Sequence, residues 1–445
     1  MLDLIVRGGT LVTPQGLRRA ELGVLDGKIV RIEPEIAEKS RRELSATGLY
    51  LFPGLIDVHV HFNEPGRAHW EGIASGSAAL ARGGGTLFFD MPLNSLPCTL
   101  DGPSFDQKLS AMRASACTDF ALWGGLTPKN LDRLEELAGR GVIGFKAFMC
   151  DSGLPEFPPC DDGSLYEGMR IAARLGLVVA VHAESEGLTA HLTRRMRERG
   201  RGWREYAASR PVLSELEAIQ RALLLAQETG CKLHIVHISS GTGVALAAEA
   251  RARGVDVSLE TCPHYLAFTE EDLERLGAVG KCAPPLRSGS EQDRLWQEVL
   301  GGSVDIIASD HSPSPPELKQ GPDFFAAWGG IAGVQSTLAV MLTQGWQQRG
   351  LALERVAALL AQNPARRFGL RDKGGLEPGK DADFTLVDLG QEHTLAPEEL
   401  AYRHPISPYL GRRFRGVVRG TWLRGEPVFL EGKITRPSEV RLQTP

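Results

Sequence analysis

Nowhere does this 445-residue chain contain an uninterrupted apolar run long enough to cross a bilayer, which sets aside a helical membrane span. It has no block of basic residues either. Lys and Arg number 50 against 55 Asp and Glu, a formal net charge of -5. That balance gives no long-range attraction for nucleic acid or an anionic membrane and leaves a small molecule as the expected partner. Cysteine is sparse and unpatterned: Cys98, Cys117, Cys150, Cys160, Cys231, Cys262 and Cys282 are odd in number and lack the close pairs of a zinc knuckle or a disulfide framework. The opening Met1-Leu2-Asp3-Leu4-Ile5-Val6-Arg7 lacks the charged-then-apolar order of a secretory leader. These absences together predict a cytoplasmic protein. Low-complexity linkers and repeats at solenoid spacing are missing too. What is present, 42% hydrophobic and 24% charged residues, is the balance of a globular chain with a large core.

The ends and the middle follow different rhythms. Leu4–Arg7, Leu22–Leu25, an Asp26-Gly27 turn and Ile29–Ile32 read as short strands. From about Phe52 onward, short apolar runs alternate with amphipathic segments of helical length, the pattern of repeated βα units. The candidate strands are Gly54–His59, Thr86–Asp90, Phe120–Gly124, Gly144–Phe148, Val178–His182, Lys232–Ile238, Val255–Glu260 and Val304–Ser309. Eight such strands suit a closed barrel. Helices are predicted over Ser75–Gly83, Leu131–Arg140, Leu165–Leu175, Glu215–Thr229 and Thr242–Arg253. Past Asn363-Pro364 strands return, at Ala382–Val387, Gly416–Arg419, Thr421–Arg424 and Pro427–Leu430. The expected fold is therefore α/β: a (β/α)8 barrel over residues 53–364, with a small β-sandwich built from both termini, residues 1–52 and 365–445.

Chemistry-bearing residues gather at the carboxyl ends of these strands. In Asp57-Val58-His59-Val60-His61, residues two apart project to one side, so both imidazoles face inward and can grip one cation. Standing alone, the pair reads equally well as two histidines satisfied by hydrogen bonds in a turn. His182, His237 and Asp310 occupy equivalent strand ends, and one shared cation would satisfy them all. His234, three residues before His237, is expected on the opposite face with a structural role. Lys146, alone in the apolar strand Gly144–Phe148, is costly to bury charged. Burial lowers its pKa, and a neutral amine adds carbon dioxide to become a bidentate carbamate; the alternative is an amine that snorkels to the rim. Asp310 is suited to bind one metal through one oxygen and accept the proton of attacking water through the other, or simply to cap a helix. No serine or cysteine is paired with a base, so no covalent intermediate is needed.

Taken together these residues resemble the amidohydrolase superfamily, in its cyclic-amidase branch of dihydroorotases, hydantoinases and allantoinases. The likeness spans almost the whole chain, through Pro53–His61, Glu64-Pro65-Gly66, Gly144-Phe145-Lys146, Glu260–Tyr265, Ser309–Pro313 and Pro378–Asp383. It implies His59, His61, carboxylated Lys146 and Asp310 on one metal ion, and the Lys146 carbamate with His182 and His237 on a second. Zinc is the expected metal, with cobalt, manganese and iron also suited to imidazole and carboxylate. The implied reaction is attack of a metal-bridging hydroxide on a cyclic amide carbonyl, with Asp310 as the proton carrier.

Dihydroorotases usually carry an arginine and a histidine that grip the substrate carboxylate, where this chain has Asn63 and Ser314. Hydantoinases usually carry a tyrosine soon after the lysine, where this chain has Met149-Cys150-Asp151 and no tyrosine before Tyr166. The pattern Phe62–Arg67, His69–Gly72, Met91–Asn94, Ser312–Lys319 and Ala327–Gly333 is most similar to the allantoinase group. That likeness implies allantoin as substrate and allantoate as product, in ureide and purine catabolism, with Asn63, Asn94, Ser314 and Gly330 as substrate contacts. It also implies a homotetramer. A hydantoinase, dihydropyrimidinase or dihydroorotase activity is the alternative, and a non-catalytic scaffold the alternative of another class.

Overall fold

In the computed structural model, which describes residues 1–445, the termini build one sheet and the centre builds another. The N-terminal strands are β1 (Leu2–Thr13), β2 (Gly16–Leu25), β3 (Lys28–Glu33), β4 (Ser40–Ser45) and β5 (Tyr50–Pro53). The barrel strands follow: β6 (Leu55–Val60), β7 (Gly85–Asp90), β8 (Asp119–Gly125), β9 (Gly144–Phe148), β10 (Val178–His182), β11 (Lys232–Ile235), β12 (Val257–Thr261) and β13 (Ile306–Ile307). The chain ends in β14 (Phe384–Thr394), β15 (Arg413–Leu423), β16 (Glu426–Leu430) and β17 (Lys433–Ile434).

β6 to β13 pair in chain order, each parallel to the next, with helices between them such as Ile73–Arg82, Asp162–Leu175, Val212–Thr229 and Gly241–Ala252. Side chains alternate as a pleated strand requires. Phe145 and Ala147 of β9 join the large core shared with the helices, while Val178 and Ala180 of β10 join a second core containing Val58, Trp123 and Val236 inside the barrel. Ala365, Phe368 and Leu370, beyond the expected barrel boundary, belong to that inner core and plug it from below.

The last strand is shorter than its apolar run predicts, and β13 does not pair with β6 along a regular ladder. Side chains and single bridges complete the ring there. The Asp57 carboxylate accepts from the Ser309 N–H at 3.1 Å, and the His61 N–H donates to the His311 carbonyl at 2.8 Å. The seam thus closes at the level where the candidate ligands stand.

The terminal β domain is one hydrogen-bonded mixed sheet of nine strands, ordered β17-β16-β15-β14-β5-β1-β2-β3 with β4 on β1. β5 lies between β1 and β14, so it stitches the two ends of the chain together. The predicted strands Gly416–Arg419 and Thr421–Arg424 are one strand, β15, in which Gly420 sits in the ladder opposite Leu386 and Leu430 instead of breaking it. Leu11, Leu22, Ile29, Leu51, Phe384 and Trp422 form a separate core for this sheet.

Candidate metal centre and active site

The proposed ligands gather toward the carboxyl ends of barrel strands: His59 near the end of β6, Lys146 in the middle of β9 and His182 at the end of β10, with His61, His237 and Asp310 within three residues beyond β6, β11 and β13. This is where a parallel barrel exposes the loops that build active sites. His237 (φ 38°) and Asp310 (φ 44°) both adopt left-handed backbone, a costly conformation for side-chain-bearing residues that tends to concentrate at functional sites.

Two groups of donors converge. His59 Nε2 and His61 Nε2 lie 3.2 and 3.5 Å from the same Asp310 oxygen, Oδ1. Beside them His182 Nδ1 faces His237 Nε2 at 3.0 Å, and donor atoms of His237, His59 and Asp310 lie within 4.8 Å of one another. Between these groups in the strand order stands Lys146, fully buried, its Nζ without a hydrogen-bond partner and 5.2 Å from the Phe148 ring centre. Such an unpaired buried amine is unstable as a cation, and burial lowers its pKa to about 8.

The outer partners fix which ring atoms are free. His59 Nδ1 is 2.5 Å from Glu260 Oε1, and His182 Nε2 is 2.8 Å from Glu184 Oε2. A proton on each of those nitrogens leaves His59 Nε2 and His182 Nδ1 as lone pairs turned inward. Burial lowers the pKa of His59, His182 and His237, so the imidazoles favour the neutral, metal-binding form. Burial raises the Asp310 carboxyl, but His59 and His61 outweigh it and hold the group at about 2, ionised at neutral pH. Neutral imidazoles, an anionic carboxylate and an orphaned amine form a donor set that fits divalent cations.

His234 departs from expectation. It does not turn to the opposite face: β11 ends at Ile235, and His234 points into the barrel beneath the ligands. There it bonds Ser258 Oγ at 2.8 Å and Glu260 Oε2 at 3.0 Å. The strand's early end and the left-handed turn at His237 bring both histidines to the lumen. Glu260 therefore bridges His234 to His59, and Glu184 is gripped by Arg210 as well as His182. Sequence reading assigned neither carboxylate a role. Glu184 was nonetheless findable, since it lies two residues past His182.

The ligands open onto a cavity of about 460 Å³ whose walls include Asn94, Phe148, Arg197, Ser312, Trp328 and Gly330. Asn94 Nδ2 faces Ser312 Oγ at 3.4 Å. A Cβ on Gly330 would meet the Ser312 carbonyl oxygen at 2.2 Å, so only glycine permits this approach of backbone to backbone. Asn63 and Ser314 are not on these walls. Asn63 donates to the Pro313 carbonyl at 3.2 Å from behind the site, and Ser314 lines a small void beside Lys319 and Ile406. Tyr166 lies on the helix Asp162–Leu175 and is absent from the walls too. A second cavity, of about 510 Å³ and lined by Arg82, His393 and Phe414, contains none of the ligands.

The amidohydrolase family matches residues 50–428, from β5 through the barrel into β16. The chain belongs to the amidohydrolase family. A protein of Solibacter usitatus (strain Ellin6076) named allantoinase is 60% identical over 446 residues, covering 100% of this chain and 97% of the relative. Another of that name, from Rubrobacter xylanophilus, is 58% identical and covers 97% of this chain and 95% of its own. Among solved structures, the L-hydantoinase (dihydropyrimidinase) of Arthrobacter aurescens superposes with a TM-score of 0.97 at 34% identity, covering 100% of both chains. As an amidohydrolase the chain is a hydrolase, and its fold is the barrel with a terminal β domain. No helix is long and apolar enough to cross a membrane.

Proposed function

We propose that this amidohydrolase opens the five-membered ring of allantoin to give allantoate, with two divalent cations held in the barrel mouth. The full-length identity to proteins named allantoinase carries the substrate assignment. Convergence of the imidazole, carboxylate and lysine groups carries the metal assignment. His59, His61 and Asp310 would hold one ion and His182 and His237 the other, with carboxylated Lys146 available to both. Zinc suits this donor set, as do cobalt, manganese and iron. The carbamate forms when the neutral Lys146 amine attacks carbon dioxide and releases a proton. When bound, the ions polarise the amide carbonyl and lower the pKa of water.

This chain's residues supply the remainder. Asp310, ionised and with Oδ1 turned to His59 and His61, accepts a proton from the attacking water and passes it to the departing ring nitrogen. Water adds across the amide C–N bond, and the ring opens to a carboxylate and a urea nitrogen. Asn94 and Ser312 face the cavity and orient the ureide by hydrogen bonds, and the side-chain-free backbone at Gly330 packs against it. Asn63 acts behind this wall through Pro313. We further propose a homotetramer; a monomer by light scattering would exclude it.

The test is steady-state turnover on allantoin, hydantoin, dihydrouracil and dihydroorotate, with a chelator-stripped control. Allantoin should give the highest kcat/KM, and stripping should abolish turnover. Preference for hydantoin or dihydrouracil would overturn the substrate assignment. No metal-dependent turnover on any of them would leave a scaffold.

A further inference from the structure

Two lysines outside the ligand set, Lys281 buried and Lys319 half-buried, have no carboxylate partner. Lys281, 5% exposed, directs Nζ to the carbonyls of Phe325 at 3.2 Å and Ala327 at 2.5 Å, over the ring of Tyr206. Lys319 directs Nζ to the carbonyls of Ala278 at 3.1 Å, Trp328 at 3.0 Å and Gly330 at 2.5 Å. Neither amine forms an ion pair, and the nearby Asp323 is held by Arg201. Burial lowers Lys281 to about 8, with Arg210 adding to the effect, and burial lowers Lys319 to about 7, with Lys281 adding to it.

Burying an amine without a counter-charge is costly, and an apolar side chain would fill the same space without that cost. What the amines give in return is specific. The segment Asp323–Gly330 has no regular structure, so its carbonyls need donors from elsewhere. Four of those carbonyls, at Phe325, Ala327, Trp328 and Gly330, receive them from these two side chains. The main chain adds Gly330 N–H to Lys281 carbonyl at 2.8 Å and Trp328 N–H to Leu318 carbonyl at 2.7 Å. The same segment, Phe325 to Gly330, forms one wall of the cavity above the ligands, and Lys281 lines the cavity beside it. On that wall the Trp328 indole N–H has no partner, and its ring packs edge-on against Trp70 at 4.7 Å between centres.

We propose that Lys281 and Lys319 are positioning residues that pin Asp323–Gly330 as the substrate-facing wall. With the carbonyls held by the two amines and most of the segment's N–H groups bonded within the protein, the Trp328 indole N–H is left to face a ligand that offers carbonyl oxygens, as a ureide does. Both amines are spent on backbone carbonyls and neither belongs to the ligand set, so they act on substrate binding rather than on chemistry. This inference rests on the ureide reading of the site.

The experiment compares wild type with Lys319→Met and Lys281→Met as full-length, metal-loaded protein. KM for allantoin should rise about tenfold or more, with kcat within about threefold and metal content unchanged. Amide hydrogen exchange over residues 323–330 should quicken while the barrel strands keep their protection. Lys319→Cys treated with 2-bromoethylamine, which rebuilds an amine of nearly lysine length, should recover the wild-type KM, since the native cysteines are all buried. Unchanged KM with unchanged exchange would overturn the proposal. So would a loss of kcat and metal in step with KM, or no recovery on aminoethylation. Should wild type itself leave allantoin untouched, the substrate reading fails on its own, and quickened or unchanged exchange alone decides the role of the lysines.

Discussion

The barrel buries a charged cluster at each end, and the two clusters are built oppositely. At the lower end Lys373 Nζ lies 2.7, 2.9 and 2.8 Å from the carboxylates of Asp119, Asp381 and Asp383, and Arg424 also reaches Asp119. At the upper end Lys146 Nζ, His61 Nδ1 and His237 Nδ1 have no partners at all. Both sites gather several metal-compatible side chains within a few ångströms. Only the lower one is built around a cation of its own. The lower cluster carries its own as Lys373 and so ties the β domain and the C-terminal segment to β8, where the Arg441 N–H also bonds Asp119. The upper cluster has lone pairs turned inward and a lysine whose pKa burial lowers, a donor set suited to cations from solution. Proximity of acidic and imidazole groups is therefore a poor guide to a metal site; their unmet valence is the better one.

The comparison breaks first at Lys146. Lys146→Ala should lose about 10³-fold or more in turnover together with most bound metal, and short carboxylic acids should restore part of both. Full activity in that variant would refute the carbamate bridge. Glu260→Gln should cost about 10–100-fold in metal affinity or turnover, because it holds both His59 and His234; equilibrium dialysis against the metal measures this. Lys373→Met should leave metal content intact but cost about 3–5 kcal/mol of stability in urea, since three carboxylates lose their buried partner. Loss of metal there would erase the distinction between the clusters.

The smallest effect concerns acid. Burial raises the Asp381 carboxyl, but Lys373 and Lys28 outweigh it and hold it below its usual value. A depressed carboxylate contributes stability that is present above the unfolded pKa of about 3.9 and lost as pH falls through the lower folded value. Wild type should therefore lose stability below about pH 4 partly through Asp381, and Asp381→Asn should flatten that slope in acid-denaturation curves.

The fold class was legible from the alternation of short apolar runs with helical segments, and the candidate ligands from local pattern. Period-two spacing put His59 and His61 on one side of a strand, and isolation in an apolar run marked Lys146, because local rules govern both features. The predicted bounds of β9 and β10 are those observed, since each is a short apolar run ended by a turn. β13 was over-long because Asp57 takes Ser309 N–H out of the ladder, a contact 252 residues apart that no local pattern reveals. His234 was misplaced for a related reason: alternation holds only while a strand lasts, and β11 stops short of His237. Asn63 and Ser314 are expected contacts by family likeness, which carries position along the chain but not side-chain direction; left-handed backbone at Asn63 (φ 65°) turns the chain there, and its amide meets Pro313. The Lys373 cluster joins residues from 119 to 383 and was invisible in advance.

Metal stoichiometry is the most direct test of the contrast between the two ends. Inductively coupled plasma mass spectrometry on dialysed wild type, Lys146→Ala and Lys373→Met, with allantoin turnover on the same samples, would decide it. The account predicts about two ions per chain in wild type and in Lys373→Met, and far fewer in Lys146→Ala with turnover lost in proportion. Wild type that turns over while free of metal, or Lys146→Ala that keeps its ions and its rate, would contradict it.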